Sequence, residues 1–196
     1  MLQRSSEFIA GWLIRHEAIR AEDRDLYVYA AYNLCFTTIP LLCFLILCGI
    51  IGRGMNGAVI LISALAIRRY AGGYHARTPQ VCVLCSCGLL AICLFGSCVV
   101  ENGMMVGMAA FIATAGLWIL SPVDSENRRL DNEEQVHCRR HARTVALFLF
   151  GLYIVFSFFH LSVLAVCIAL GILLAGFLQF ICIPRLIREY KSKTVE

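Results

Sequence analysis

Gly54-Met55-Asn56-Gly57-Ala58-Val59-Ile60-Leu61-Ile62-Ser63-Ala64-Leu65-Ala66-Ile67 is an apolar run that ends on Arg68-Arg69-Tyr70. Its reading decides the topology of the whole chain. Residues 54–67 alone rise about 21 Å as a helix, short of the roughly 30 Å of hydrocarbon in a bilayer. The run reaches across if Arg68, Arg69 and Tyr70 continue the helix with their polar ends snorkelling to the interface; otherwise it is tilted, re-entrant or sits in thinned membrane.

Five further apolar runs lie outward from it, at about 26–52, 80–100, 103–121, 143–159 and 161–183. Each is close to the roughly 17–25 residues that a span needs. Pro40 inside the first predicts a kink. The cations decide the short run. With six spans and both termini cytoplasmic, 16 of the 17 lysines and arginines fall on the inner side, leaving only Arg53 outside. The outer turns near Glu101-Asn102 and His160 carry neither residue type. Failure of 54–67 to cross would send alternate basic clusters outward, against the positive-inside rule. The expected fold is therefore all-α: a polytopic membrane protein of six transmembrane helices, one integral unit over residues 1–196.

Composition agrees. The chain is 60% hydrophobic and 15% charged, with mean hydropathy +0.76, whereas soluble domains run nearer half and a quarter. The net charge of +4 is dispersed in short clusters between apolar runs rather than on one basic face, which argues against nucleic acid. Of eleven cysteines, Cys35, Cys43, Cys48, Cys85, Cys87, Cys93, Cys98, Cys167 and Cys182 lie in apolar runs and read as small packing hydrophobes. No cleavable signal pattern is read in residues 1–25. There Phe8, Ile9, Trp12, Leu13, His16 and Ile19 recur at helical spacing among charges. They form an amphipathic helix, either interfacial on the inner membrane surface or a soluble cap. The one long polar segment, 122–142, reads as a cytoplasmic loop.

Beyond Ile67 the chain continues Arg68-Arg69-Tyr70-Ala71-Gly72-Gly73-Tyr74-His75-Ala76-Arg77-Thr78-Pro79-Gln80-Val81-Cys82. Ionisable groups beside hydrocarbon are expensive and mark functional positions. A thiol and an imidazole are the minimal pair for nucleophilic acyl chemistry. On one straight helix His75 and Cys82 would stand about 10.5 Å apart along the axis, too far to hydrogen-bond. Thr78-Pro79 instead predicts a helix start, with threonine as N-cap and proline first. Cys82 then falls in or just beyond the first turn, and Gly72-Gly73 gives the backbone freedom to fold His75 back. Helix N-termini and nearby cations such as Arg77 favour a thiolate, and free first-turn N–H groups can receive an oxyanion. Two other patterns compete. Cys82-Val83-Leu84-Cys85 matches a redox Cys-x-x-Cys without the βαβ setting of one. A zinc site from His75, Cys82, Cys85 and Cys87 is disfavoured because Cys85 and Cys87 leave a helix on different sides. His137 and His141, flanking Cys138, lack a second ligand pair and read as a solvated basic face.

Arg68 to Ala76 followed by Cys82 resembles the accessory gene regulator B proteins of Gram-positive bacteria. So does Ser121-Pro122-Val123-Asp124-Ser125-Glu126-Asn127-Arg128-Arg129-Leu130 after the fourth span. The resemblance covers nearly the whole chain. It implies a multi-pass cysteine endopeptidase of the bacterial cytoplasmic membrane, without cofactor or metal. Its partners would be membrane lipid and a short quorum-sensing propeptide of the accessory gene regulator D type, and a homodimer is compatible with it. Carried over by motif position, Cys82 is the nucleophile and His75 its base, while Arg68 and Gly73 stand at positions the family requires. Arg69, Arg77 and Gln80 are further supporting or substrate-binding candidates. Arg128 and Arg129 match a basic loop site, although Leu130 replaces the usual proline. The implied reaction removes the propeptide's C-terminal tail through a Cys82 thioester, which a Cys or Ser of the substrate captures as a thiolactone or lactone. From the residues alone, a small peptide transporter or a structural membrane subunit fits the same spans.

Overall fold

The computed structural model describes residues 2–16, 18–72, 79–122 and 132–181, and among them every regular element is helical. Helix α1 covers Leu2–Arg15, and a short 3₁₀ turn at Ala21–Asp23 leads into α2, Arg24–Ile50. Then follow α3 (Gly54–Ala71), α4 (Pro79–Val99), α5 (Met104–Leu120), α6 (Asn132–Phe158) and α7 (Ser162–Phe180). Helices α2 to α7 coincide in order with the six apolar runs.

Helix α7 is the hub, packing on α3, α4, α5 and α6, while α2 lies against α3 and α4, and α1 lies on α2. Two cores share α3 and α7. One brings in α5 and α6 through Leu117, Ala146 and Leu149; the other brings in α2 and α4 through Phe44, Cys48, Leu90 and Leu94. Small residues permit the closest approach: a methyl on Gly171 would stand 2.6 Å from Ser63 Cβ and 3.0 Å from Ile60 O. Backbones that near each other gain dispersion contacts without needing an aqueous driving force. The α5–α6 pairs Trp118–Arg143, Phe111–Phe150, Gly107–Tyr153 and Asn102–Ser157 run in opposite order along the two helices, so these helices are antiparallel.

Two helices, Glu133–Phe158 and Ser162–Phe180, are long and apolar enough to cross a membrane; Thr38–Ile50, Leu84–Val99 and Met104–Leu120 are shorter apolar stretches. Helix α3 takes in Arg68, Arg69 and Tyr70 and reaches 18 residues, about 27 Å of rise. The 122–142 reading needs correction: residues 132–142 form the first half of α6 rather than loop. Glu133 and Glu134 in its first turn complement the helix dipole, so the charges that suggested a loop support helix. In α1, Ser6 and Ala10 are the buried residues, whereas Phe8 is 73% and Trp12 53% exposed. These two large apolar side chains therefore point away from the rest of the protein.

The nine cysteines whose side chains are described are free thiols. Cys48, Cys93 and Cys167 are buried as the packing reading expects. Cys43, Cys85 and Cys98 instead lie on exposed helix surface, while Cys182 lies outside the described residues.

Candidate active site

Helix α3 stops at Gly72, whose backbone adopts φ 70°, ψ −151° while its N–H donates to Arg68 O at 3.3 Å. Essentially only glycine occupies that region without strain. The second residue of the Gly72-Gly73 pair lies outside the described residues, as do His75, Arg77, Arg128 and Arg129. The described part of helix α4 runs from Pro79, and within it the backbone of Cys82 is the fourth residue and that of Gln80 the second; the Thr78 N-cap expectation falls outside the described residues.

Around α3's last turn, Arg69 is exposed, with its guanidinium 5.8 Å from the Tyr70 ring centroid. Arg68 is half-buried. Tyr70 stacks on His141 of α6 with centroids 5.2 Å apart and planes 28° apart. His141 Nδ1 lies 2.9 Å from the His137 carbonyl, and the two imidazoles are 4.0 Å apart. His137 is solvated as read from sequence; His141 is half-buried and ties α6 to the last turn of α3. Nearby, Arg143 Nε donates to Trp118 O at 3.0 Å while its guanidinium lies 4.8 Å over the Trp118 ring.

A buried polar pair completes this end. Gln179, 1% exposed, donates Nε2 to Ser121 Oγ at 3.1 Å, and among the described residues no donor reaches its Oε1. The contact of Gly171 with Ile60 and Ser63 sets the register of α7 on α3. Eight residues further along both helices, Gln179 is level with Ala71 and the Gly72 turn. From the Gly96–Leu170 contact, a rise of 1.5 Å per residue puts the Cys82 backbone about 7 Å nearer the same end than Gln179. Gln179 and Ser121 form a buried polar pair at the end of the bundle toward which Cys82 lies, and the sequence reading passed over them. The available signal was an amide deep in the otherwise apolar 161–183 run, since polar groups there are expensive and rarely idle.

Comparisons with known proteins place the chain. A relative from Clostridium perfringens strain 13, named AgrB-like protein 2, is 25% identical over 69% of this chain and 67% of its own length. An AgrB-like protein of Listeria innocua is 28% identical over 81% of this chain and 80% of its own. No solved structure matches. The family model described as accessory gene regulator B matches residues 6–183, a span that holds the α3 turn, the α4 start and the Gln179 layer together. The chain belongs to the accessory gene regulator B family, whose members take part in processing quorum-sensing propeptides at the membrane.

Proposed function

We propose that the protein is a membrane cysteine endopeptidase that cleaves the C-terminal tail from an accessory gene regulator D-type propeptide and hands the remaining acyl group to the substrate's own side chain. Six spans, α2 to α7, form one integral unit with both termini and the 123–131 segment cytoplasmic. The observation that carries the reading is that Cys82 is the fourth residue of the described α4 helix, Pro79–Val99. With the helix start that Thr78-Pro79 predicts, Cys82 lies in or just beyond the first turn, where free backbone N–H groups and the positive end of the dipole favour a thiolate and can receive an oxyanion.

Cys82 Sγ attacks the scissile carbonyl carbon. The tetrahedral adduct collapses with loss of the C–N bond, and His75 passes the proton taken from Cys82 to the departing amine. The acyl group is now a thioester on Cys82. A thiol or hydroxyl of the substrate attacks it, Cys82 leaves as thiolate and recovers a proton, and the ring closes as thiolactone or lactone. No water is consumed, so a site shielded by surrounding helices suits the second step. Arg68, with Arg69, Arg77, Gln80, Arg128 and Arg129, provides charge and hydrogen bonds for the acidic tail.

The acyl-enzyme tests this directly. A propeptide whose ring-closing residue is replaced by alanine should accumulate as a hydroxylamine-labile adduct on Cys82, detectable by mass spectrometry. An adduct that survives in a Cys82→Ala protein refutes the nucleophile assignment. For the topology, Asn102→Cys and His160→Cys should react with an impermeant thiol reagent from outside cells and Asp131→Cys should not; the reverse pattern excludes six spans in this orientation.

A further inference from the structure

A groove of about 440 Å³ opens on the flank of α6 at the basic end, away from Cys82's helix, and nothing in the peptidase reading uses it. Its walls include Trp118 of α5 and Val136, Arg139, Arg140, Arg143 and Leu147 of α6. Three arginines line it, and among the described residues none of them is ion-paired: the ion pair there is Arg24–Asp25, far along the chain on α2. Arg143 is held in advance, with Nε on Trp118 O and its plane over the indole, leaving its four terminal N–H donors for a ligand.

The groove is polar on one side and apolar on the other in a definite order. Every charged residue of α6 lies between Glu133 and Arg143, and 144–158 carries none. Arg143 therefore marks the headgroup level of a spanning helix. Leu147, 49% exposed, continues the groove about 6 Å deeper on the hydrocarbon side. Trp118, 40% exposed, stands where tryptophans anchor the interface. An acidic peptide would use the arginines and leave this apolar half empty.

We infer that the groove between Trp118 and the Arg139–Leu147 face of α6 binds an anionic phospholipid, its phosphodiester on Arg139, Arg140 and Arg143 and an acyl chain along Trp118 and Leu147. Basic pockets beside spanning helices on the cytoplasmic side recognise such headgroups. The site stands whether or not Cys82 is a nucleophile.

Trp12 and Trp118 are the two tryptophans, so Trp12→Phe makes Trp118 the sole reporter. The full chain is reconstituted in phosphatidylcholine vesicles containing a fixed fraction of phosphatidylglycerol brominated on its acyl chains near the headgroup. Quenching of Trp118 should show a preference of roughly tenfold or more over equally brominated phosphatidylcholine. Arg139→Ala with Arg140→Ala should make the two lipids quench alike, and the paired lysine substitutions should keep most of the preference. Equal quenching by both lipids in the parent overturns the inference. So does relief of the phosphatidylglycerol quenching by a soluble acidic peptide at constant ionic strength, which would assign the groove to peptide.

Discussion

Where α5 begins and α6 finishes, Asn102 donates Nδ2 to Ser157 Oγ at 3.0 Å and accepts the Tyr153 hydroxyl at 3.1 Å, and Gly107 packs directly under that hydroxyl. Each side-chain group in this circuit has a partner. At the opposite end of the bundle, and among the described residues, Gln179 Oε1 is buried without a donor, three arginines on α6 form no ion pair, and α3 ends in a backbone conformation open to glycine. A polar group buried and unpaired costs about 1–3 kcal/mol. The closed end contributes stability, whereas the open end retains bonding capacity that a bound molecule can satisfy. Proteins concentrate such unspent capacity where they act.

The contrast can be broken most forcefully at Cys82. Cys82→Ala should lower processing of a cognate propeptide in membranes by on the order of 10⁴ or more, as loss of a nucleophile does, with no change in thermal unfolding. Cys85→Ala and Cys87→Ala should retain most of the activity; equal losses in all three would dissolve the distinction. Arg68 comes next. Arg68→Ala should lose roughly ten- to a hundredfold, and Arg68→Lys, which keeps charge but not the planar fork, should fall between it and wild type. If both cleave at the wild-type rate with equal abundance in the membrane, Arg68 is a topology signal only.

Asn102→Ala at the closed end should act in the opposite sense. It leaves the Tyr153 hydroxyl without its acceptor and should reduce stability by about 1–3 kcal/mol, read as a lower unfolding temperature in detergent. Cleavage per folded molecule should stay unchanged, and a selective loss of turnover would show that the two ends are not separable. The smallest stability effect is expected at Gln179→Leu. Removing the orphaned acceptor offsets the lost Ser121 bond, so stability should change by less than about 1 kcal/mol, while processing falls more than stability does. Unchanged processing would make the Gln179 layer an imperfection of packing.

How much of this was legible in the chain differs by kind of signal. Apolar runs located α2, α3, α4, α5 and α7 to within a few residues, because length and hydropathy are properties of the segment itself. The Thr78-Pro79 signature is of the same local kind, since proline favours a first helical position, and the described part of α4 runs from Pro79. The first half of α6 was not, since a hydropathy reading sees Glu133, Glu134, Arg139 and Arg140 as loop, although their order along the helix dipole favours helix. Tertiary facts were out of reach. Nothing local says that His141 stacks on Tyr70, that Gln179 meets Ser121, or that α1 turns Ser6 and Ala10 inward and leaves Phe8 and Trp12 outside. The pairing of His75 with Cys82 rests on the motif and the two flanking backbone signals.

The position of α7 has a consequence for how the molecule is made. It fills the seam bounded by α3, α4, α5 and α6, and a ribosome delivers it after all four. Until it inserts, Ser63 and Ile60 of α3 and Ala113 of α5 have no Gly171 or Gly176 to close against, and the Gln179 layer does not exist. A nascent chain thus carries the α4 segment with Cys82 well before α7 can hold it in one geometry. On the proposed peptidase reading, maturation of the site follows the arrival of α7, and a thiol that attacks peptide carbonyls is kept from doing so during its own synthesis.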